Sequence, residues 1–591
     1  MATNYRNLTA NEINQLERQG NQADNWSTVR VAEPFHVECV RNSTFEGAVS
    51  LGIIEPETHN EGALTLHEGI FNSTFRNTTV GDHPAIRNVH MISGYTLGNN
   101  VLLFNINEMT CDPDHLSWLE PMNENGGRRI LPFGSMTIGD AYMWARYRGR
   151  KRFMEKLEQF TRDLLASPEG RYGQVGDGCV VKNTNRLHNV VIRSTDIDRT
   201  VVDGCIVLSD GVIGYGCTVE NGIIAERFLL GEHVHLEFGL RLNDTVVGDN
   251  STLARCEVGN SIIFPAHEQH HNNSFLIAGL IMGQSNIAAG GTIGSNHNSR
   301  TADNELAAGR GFWPGLCCSF KHSSRFASYC LLAKADYPAE LNITLPFALV
   351  NNNINKDQLE VMPAYWWMYN MYAMDRNSKK FAKRDKRKLK AQHIEFDSLA
   401  PDTAEEILLG IKQLRAWMAA STSDTVYAQG QEKSKRPTVV LKANEGLKAY
   451  EDMLVFYAMK TLEGERSKVK GERLNDWVNI GGQLVTRPDM EQLITDVENG
   501  TIGSWHQLHE RMDTLWEAYP AQREAHAYGV LCRLAGVDGL TDDLWQCYRQ
   551  RYDEILEFIE EQKVASRHKD EVNPFRNMTY WDDDERAAVL E

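Results

Sequence analysis

The sequence predicts a β-solenoid, and three observations carry that prediction. Between Ile197 and Ile263 an aliphatic residue returns every six positions, at Val201, Val207, Ile213 and Val219, then again at Leu230 and Leu236, and at Val247 and Leu253. Around them stand short units such as Val202-Asp-Gly-Cys, Ile213-Gly-Tyr-Gly-Cys, Leu230-Gly-Glu-His-Val and Val247-Gly-Asp-Asn-Ser, in which turn-tolerant residues follow the aliphatic one. The steps from Ile213 to Leu230 and from Leu230 to Val247 are both 17 residues, close to three hexads.

An amphipathic helix repeats about every 3.6 residues and a strand about every 2, so a repeat of six fits neither. It fits a coil of short strands in which each hexad gives one flat side and one corner. Aliphatic residues point inward, while Gly, Asn and Asp take the positive φ of the corners. Three sides make one turn, and turns stacked at about 4.8 Å satisfy one another's backbone hydrogen bonds.

These repeats resemble those of the hexapeptide-repeat left-handed β-helix superfamily, whose familiar members are trimeric acyltransferases. As a whole the chain is similar to a long branch of that superfamily with a helical C-terminal extension. The resemblance implies a left-handed coil, acyl-CoA or acyl carrier protein as donor, a His general base in a cleft between subunits, and a homo-oligomer, by family habit a trimer.

Residues 1–28 form a short helical segment, with a helix from Thr9 to Arg18 capped by Thr9. Residues 29–140 form a first β-helical stretch, with repeat fragments at Phe45–Val49, Leu51–Ile54, Gly69–Phe71 and Thr79–Asp82 and a clean form from Ile86 to Phe104. Glu55–Glu61 interrupts it; Glu57, His59 and Glu61 offer ligands there, but a solvated turn is the favoured reading. Residues 141–170 are a helical insertion, with Phe153, Leu157, Phe160, Leu164 and Leu165 on one stripe of Tyr142–Ala166. Its basic start (Arg146, Arg148, Arg150, Lys151, Arg152) suits a phosphate, although a solvated face is favoured.

Residues 171–355 resume the β-helix. Residues 356–591 read as an all-α C-terminal domain, with helical patterns at 403–420, 445–462, 489–499, 504–519, 521–534 and 542–565. The aromatic stretch Pro363-Ala-Tyr-Trp-Trp-Met-Tyr-Asn-Met-Tyr must bury against the solenoid or another subunit. The basic run from Arg376 to Lys390 is read as a solvated helix pairing with local carboxylates, ahead of a polyanion contact.

A net charge of −18 disfavours a general binder of nucleic acid or acidic membrane. The 11 cysteines are odd in number and form no CxxC pair, so Cys205, Cys217 and Cys256 are expected to be inert buried thiols of a reducing cytoplasm. No secretory h-region and no apolar run of about 18 residues is present, so a cytoplasmic location away from membranes is expected.

Chemistry concentrates where the hexads turn irregular. His267, His270, His271, His297 and His322 fall within 56 residues, and a regular β-helix needs none of them. Imidazole suits proton abstraction near neutral pH, which makes His271 and His297 the candidate catalytic residues. Arg300, Arg310, Lys321 and Arg325 suit a phosphate, with His322 beside them. Asn273, Gln284, Asn286, Asn296 and Asn298 suit substrate hydroxyls. The bland alternative is a polar ladder or a subunit contact.

The favoured expectation is a transferase acting on a sugar phosphate or nucleotide sugar with an acyl-thioester donor. A non-enzymatic scaffold is the alternative. A further relative, the γ-type carbonic anhydrase, binds metal through three His, which His267, His271 and His297 would imitate; metal is the weaker reading. Nucleotidyl transfer ranks third, because the N-terminal region lacks a phosphate loop.

Overall fold

The computed structural model describes residues 4–112, 114–123, 126–167, 170–294, 304–463 and 474–590. Its dominant feature is a parallel β-solenoid with three strand faces per turn. On the first face the register advances Val202, Val219, Leu236, Leu253. On the second it advances Leu208, Ala225, Leu242, Val258, and on the third Ile213, Leu230, Val247, Ile263. These residues are fully buried and form the inner column.

The column explains why a turn has 17 residues and not 18. Val202 to Leu208 is a step of six, Leu208 to Ile213 a step of five, and Ile213 to Val219 a step of six. It also corrects two positions. Val201 and Val207 are only half-buried, and the inward residues are their neighbours Val202 and Leu208. A slip of one residue moves a strand side chain to the opposite face, and at both places two aliphatic residues stand side by side. The corners are left-handed, as at Asp210, Asn221, His233, Asp244, Asn250 and Asn260.

The solenoid is interrupted twice before Asn260. The hairpin Thr58–Glu61 with Leu64–His67 is where the sequence suggested an acidic turn. Leu64 and Leu66 pack on Ala85, Leu102, Val180 and Val201 of the first face's outer wall, so the hairpin serves as a cover. The second interruption carries helices.

Helix α1 (Ala10–Arg18) starts at Thr9 with a full capping box: Thr9 Oγ1 accepts the Glu12 N–H, and the Glu12 carboxylate accepts the Thr9 N–H. Thr9→Ala should therefore cost about 1 kcal/mol, measurable by urea titration.

The insertion contains two helices where the sequence reading had one, α2 (Ile138–Arg146) and α3 (Lys151–Ala166), separated around Gly149. Helix α2 lies against the third face, with Tyr142 edge-on to Phe264 at 5.2 Å. Helix α3 buries Phe153, Leu157 and Phe160 and leaves Leu164 and Leu165 half-buried.

The β structure also runs past residue 355. Leu349–Asn353 turns back antiparallel on Gln358–Met362, which pairs with Thr438–Val440. This small cap covers the last rung of the first face, an edge that would otherwise template pairing with another chain.

Beyond it follow α4 (Tyr365–Tyr369), α5 (Met371–Arg384), α6 (Pro401–Ala420), α7 (Ala443–Thr461), α8 (Arg487–Asn499), α9 (Trp505–Ala535), α10 (Asp542–Glu571), α11 (Pro574–Asn577) and α12 (Asp583–Leu590). Helix α9 joins two of the predicted helices across Pro520. Trp366 packs on Trp313 of the solenoid at 5.6 Å, and Trp367 packs on Phe456 and Phe558. The aromatic stretch therefore finds its burial inside the chain. Among the described residues, no helix is long and apolar enough to cross a membrane.

The basic run is helical only to Arg384 and then becomes a clamp. Lys379 pairs with Asp375 within its own helix, whereas Lys380 and Arg384 reach Glu268 of the solenoid. Arg387 is buried between Asp249 and Asp385. The expected pairing with carboxylates is present, but much of it is long-range and part of it is buried.

Candidate ligand-binding cleft

The polar cluster divides into groups with different surroundings. His267 lies inside the coil, fully buried, with Nδ1 at 2.8 Å from Ser285 Oγ and Nε2 at 3.1 Å from Gln269 Oε1. Burial pushes its pKa down to about 4, so it is neutral and tied into an interior polar network. His271 is exposed on the corner between the first and second faces, ring to ring with His270 at 4.5 Å. His267 and His271 thus do not converge on one ion, and among the described residues no group of three or more His, Cys, Asp or Glu side chains is arranged to hold a metal. His297, Asn296, Asn298 and Arg300 lie outside the described residues.

Several other candidates have structural partners. Arg310 is buried and forked onto Asp402 at 2.7 and 2.9 Å, with further bonds to Gln284 Oε1 and the Asp397 carbonyl. It fastens the solenoid to the start of α6. Gln284 also accepts the Tyr329 hydroxyl and donates to the Phe396 carbonyl. Lys321 pairs with Glu340, and His322 is buried with Nε2 2.8 Å from the Ile277 carbonyl. Asn273 is an exposed left-handed corner residue, and Asn286 borders a small cavity beside Trp313 and Trp366. Cys205, Cys217 and Cys256 are free and buried, and burial raises the Cys205 and Cys256 thiols to about 12.

Arg325 is different. It lines a cleft of about 560 Å³ on the outer wall of the third face, where Leu280, Ala307 and Arg325 occupy one register column. The other walls are Tyr142 and Arg146 of α2, Arg128 from the loop before it, Glu305, and Glu406 of α6. Arg128 and Arg146 approach the same Glu305 oxygen at 2.8 and 3.5 Å. Glu406 accepts the Ser328 N–H at 2.8 Å, yet burial pushes its carboxyl up to about 7, with nearby Asp402 adding to the rise. A proton-holding group poised at neutral pH thus lines the same cleft as three guanidiniums and the Glu305 carboxylate.

Arg325, and Arg146 within its basic run, are legible in the sequence; Arg128, Glu305 and Glu406 are not. Glu406 sits in an ordinary helical pattern, and it is half-buried where α6 docks on Ser328.

Comparison with known proteins places the cleft within one family region. Residues 5–418 match the family described as "Domain of unknown function (DUF4954)". The chain belongs to the DUF4954 family. Every cleft residue, from Arg128 to Glu406, lies inside the DUF4954 match, while residues 459–565 match "Domain of unknown function (DUF6819)". A relative from Treponema pallidum (strain Nichols), titled "Uncharacterized protein", is 41% identical over 652 aligned residues, covering 99% of this chain and 90% of the relative. The DUF4954 match includes the solenoid, the inserted helices and all but the last two residues of α6, the elements that build the cleft walls.

Proposed function

We propose that the cleft on the third face binds a sugar phosphate or nucleotide sugar and that the protein is a transferase acting on it, with an acyl thioester as donor. The observation that carries this reading is the convergence of Arg128, Arg146 and Arg325 with Glu406 on one cleft of about 560 Å³. Guanidinium forks match phosphate oxygens, and three arginines against the Glu305 carboxylate and the raised Glu406 carboxyl favour an anionic ligand. The resemblance of the coil's repeats to those of the hexapeptide-repeat acyltransferases is what suggests the donor.

Glu406 takes the proton-transfer role that the sequence offers to His271 or His297. As carboxylate it accepts the proton of the acceptor hydroxyl or amine. That atom bonds to the thioester carbonyl carbon, the C–S bond breaks, and Glu406 returns the proton to the departing thiolate. His271, on the corner opposite the third face, is poorly placed for this work.

The test is calorimetry with UDP-N-acetylglucosamine and glucosamine 6-phosphate, followed by release of free thiol from acetyl-CoA. Arg325→Ala should weaken sugar-phosphate binding about tenfold, the value of one charge-assisted contact. Absence of both sugar-phosphate binding and thiol release would leave the scaffold reading in its place.

A further inference from the structure

A second cleft lies far along the chain from the first, between α5, the end of α10, and α11 with α12. Its volume is about 1020 Å³, ample for a nucleotide. Arg376, Arg567, Arg576 and Arg586 line it, each from a different helix, together with Tyr372 and Tyr580. The carboxylates among its described walls are Glu571 and Asp583. Four guanidiniums against two carboxylates make a cationic hollow on a chain of net charge −18.

Three of these arginines, Arg376, Arg567 and Arg586, keep much of that charge available. Arg567 pairs with Glu571 at 3.3 Å and lies 5.8 Å from the Tyr372 ring centre. Arg586 donates to the Glu571 carbonyl, a bond that neutralises no charge. Arg376 has no carboxylate partner among the described residues, although Lys379 on the same helix pairs with Asp375. Gathering like charges from separate helices is unfavourable unless an anion offsets them.

We propose that this cleft is a second binding site, for a nucleoside di- or triphosphate. The guanidiniums take the phosphates in bidentate fashion, and the Tyr372 or Tyr580 ring takes the base by stacking. The site is separate from the third-face cleft and would give the C-terminal helices a ligand of their own.

The experiment is isothermal calorimetry on the full chain with ADP, adenosine and inorganic diphosphate. ADP should bind at least tenfold tighter than adenosine or diphosphate, and its affinity should fall with added salt. Arg376→Ala and Arg567→Ala replace exposed side chains and should each weaken ADP about tenfold, with circular dichroism confirming an unchanged fold. Arg325→Ala, in the other cleft, should leave ADP binding unchanged. The proposal is overturned if ADP does not bind below millimolar concentration, or if only Arg325→Ala weakens it. Equal binding of diphosphate and ADP would remove the base from the site. A short RNA binding ten times tighter than ADP would replace the nucleotide with nucleic acid.

Discussion

Arg387→Ala should lower stability by about 3–5 kcal/mol, read as a fall in the urea midpoint, because it strands buried charge. The guanidinium donates to Asp249 Oδ2 at 2.6 Å, to the Gln392 carbonyl at 2.6 Å, and to both oxygens of Asp385 at 2.9 and 3.1 Å. Asp249 Oδ1 accepts the Glu232 N–H at the next corner down, where a Cβ on Gly231 would stand 2.0 Å from that oxygen. Glu232 in turn accepts the N–H groups of Lys390 and Ala391. One corner of the solenoid and the segment after α5 are thus locked together by charge.

The pH dependence of that loss has a definite sign. Burial already raises the Asp249 carboxyl to about 6, and removing its cation raises it further. A raised carboxyl contributes stability that is fully present below its ordinary value of 3.8 and is lost as pH climbs through the folded value. The deficit of Arg387→Ala should therefore be larger at pH 8 than at pH 5. Adding Asp249→Asn should recover part of it. A deficit below about 1 kcal/mol at both pH values would mean that the clamp does not hold the segment.

That clamp also marks the limit of sequence reading. The solenoid was legible because its constraint is local and repeated: a turn of 17 residues needs an inward aliphatic every five or six positions and a tolerant residue at each corner. Register failed only at Val201 and Val207, where adjacent aliphatic residues make the inward choice ambiguous. The capped helix α1 was legible for the same local reason. Arg387 was not, because nothing nearby in sequence separates a buried arginine from the solvated lysines around it. Its partner Asp249 is 138 residues away.

The histidine cluster shows the reverse error. Polar residues crowded into a β-helical stretch suggest a surface site, yet Gln269 continues the inward column of Val219, Leu236 and Leu253, so it and His267 satisfy each other inside the coil. The cleft that does gather charge is assembled from the loop before α2, α2 itself, the third face and α6. Four separate segments meet there, and no single stretch carries its signature.

Glu406→Gln should then have two separable effects. The first is on stability. With a folded value near 7 against an ordinary carboxyl value of 4.5, the native protein holds a proton that the unfolded chain has released across that window. Stability contributed by this group is fully present below pH 4.5 and is lost as pH rises to 7, a change of up to about 3 kcal/mol. The amide cannot ionise, so the variant should lose this slope and unfold at higher urea than the wild type at pH 8. The second effect is on chemistry: if Glu406 moves the proton, thiol release should fall by about 10²-fold or more while Kd for the sugar phosphate stays nearly constant. A variant that loses the pH slope but keeps its turnover would show a carboxyl buried for packing alone and would return the catalytic question to other side chains. A variant that keeps the slope would show that the titrating group lies elsewhere, with the buried Asp249 carboxyl, raised to about 6, the next group to replace.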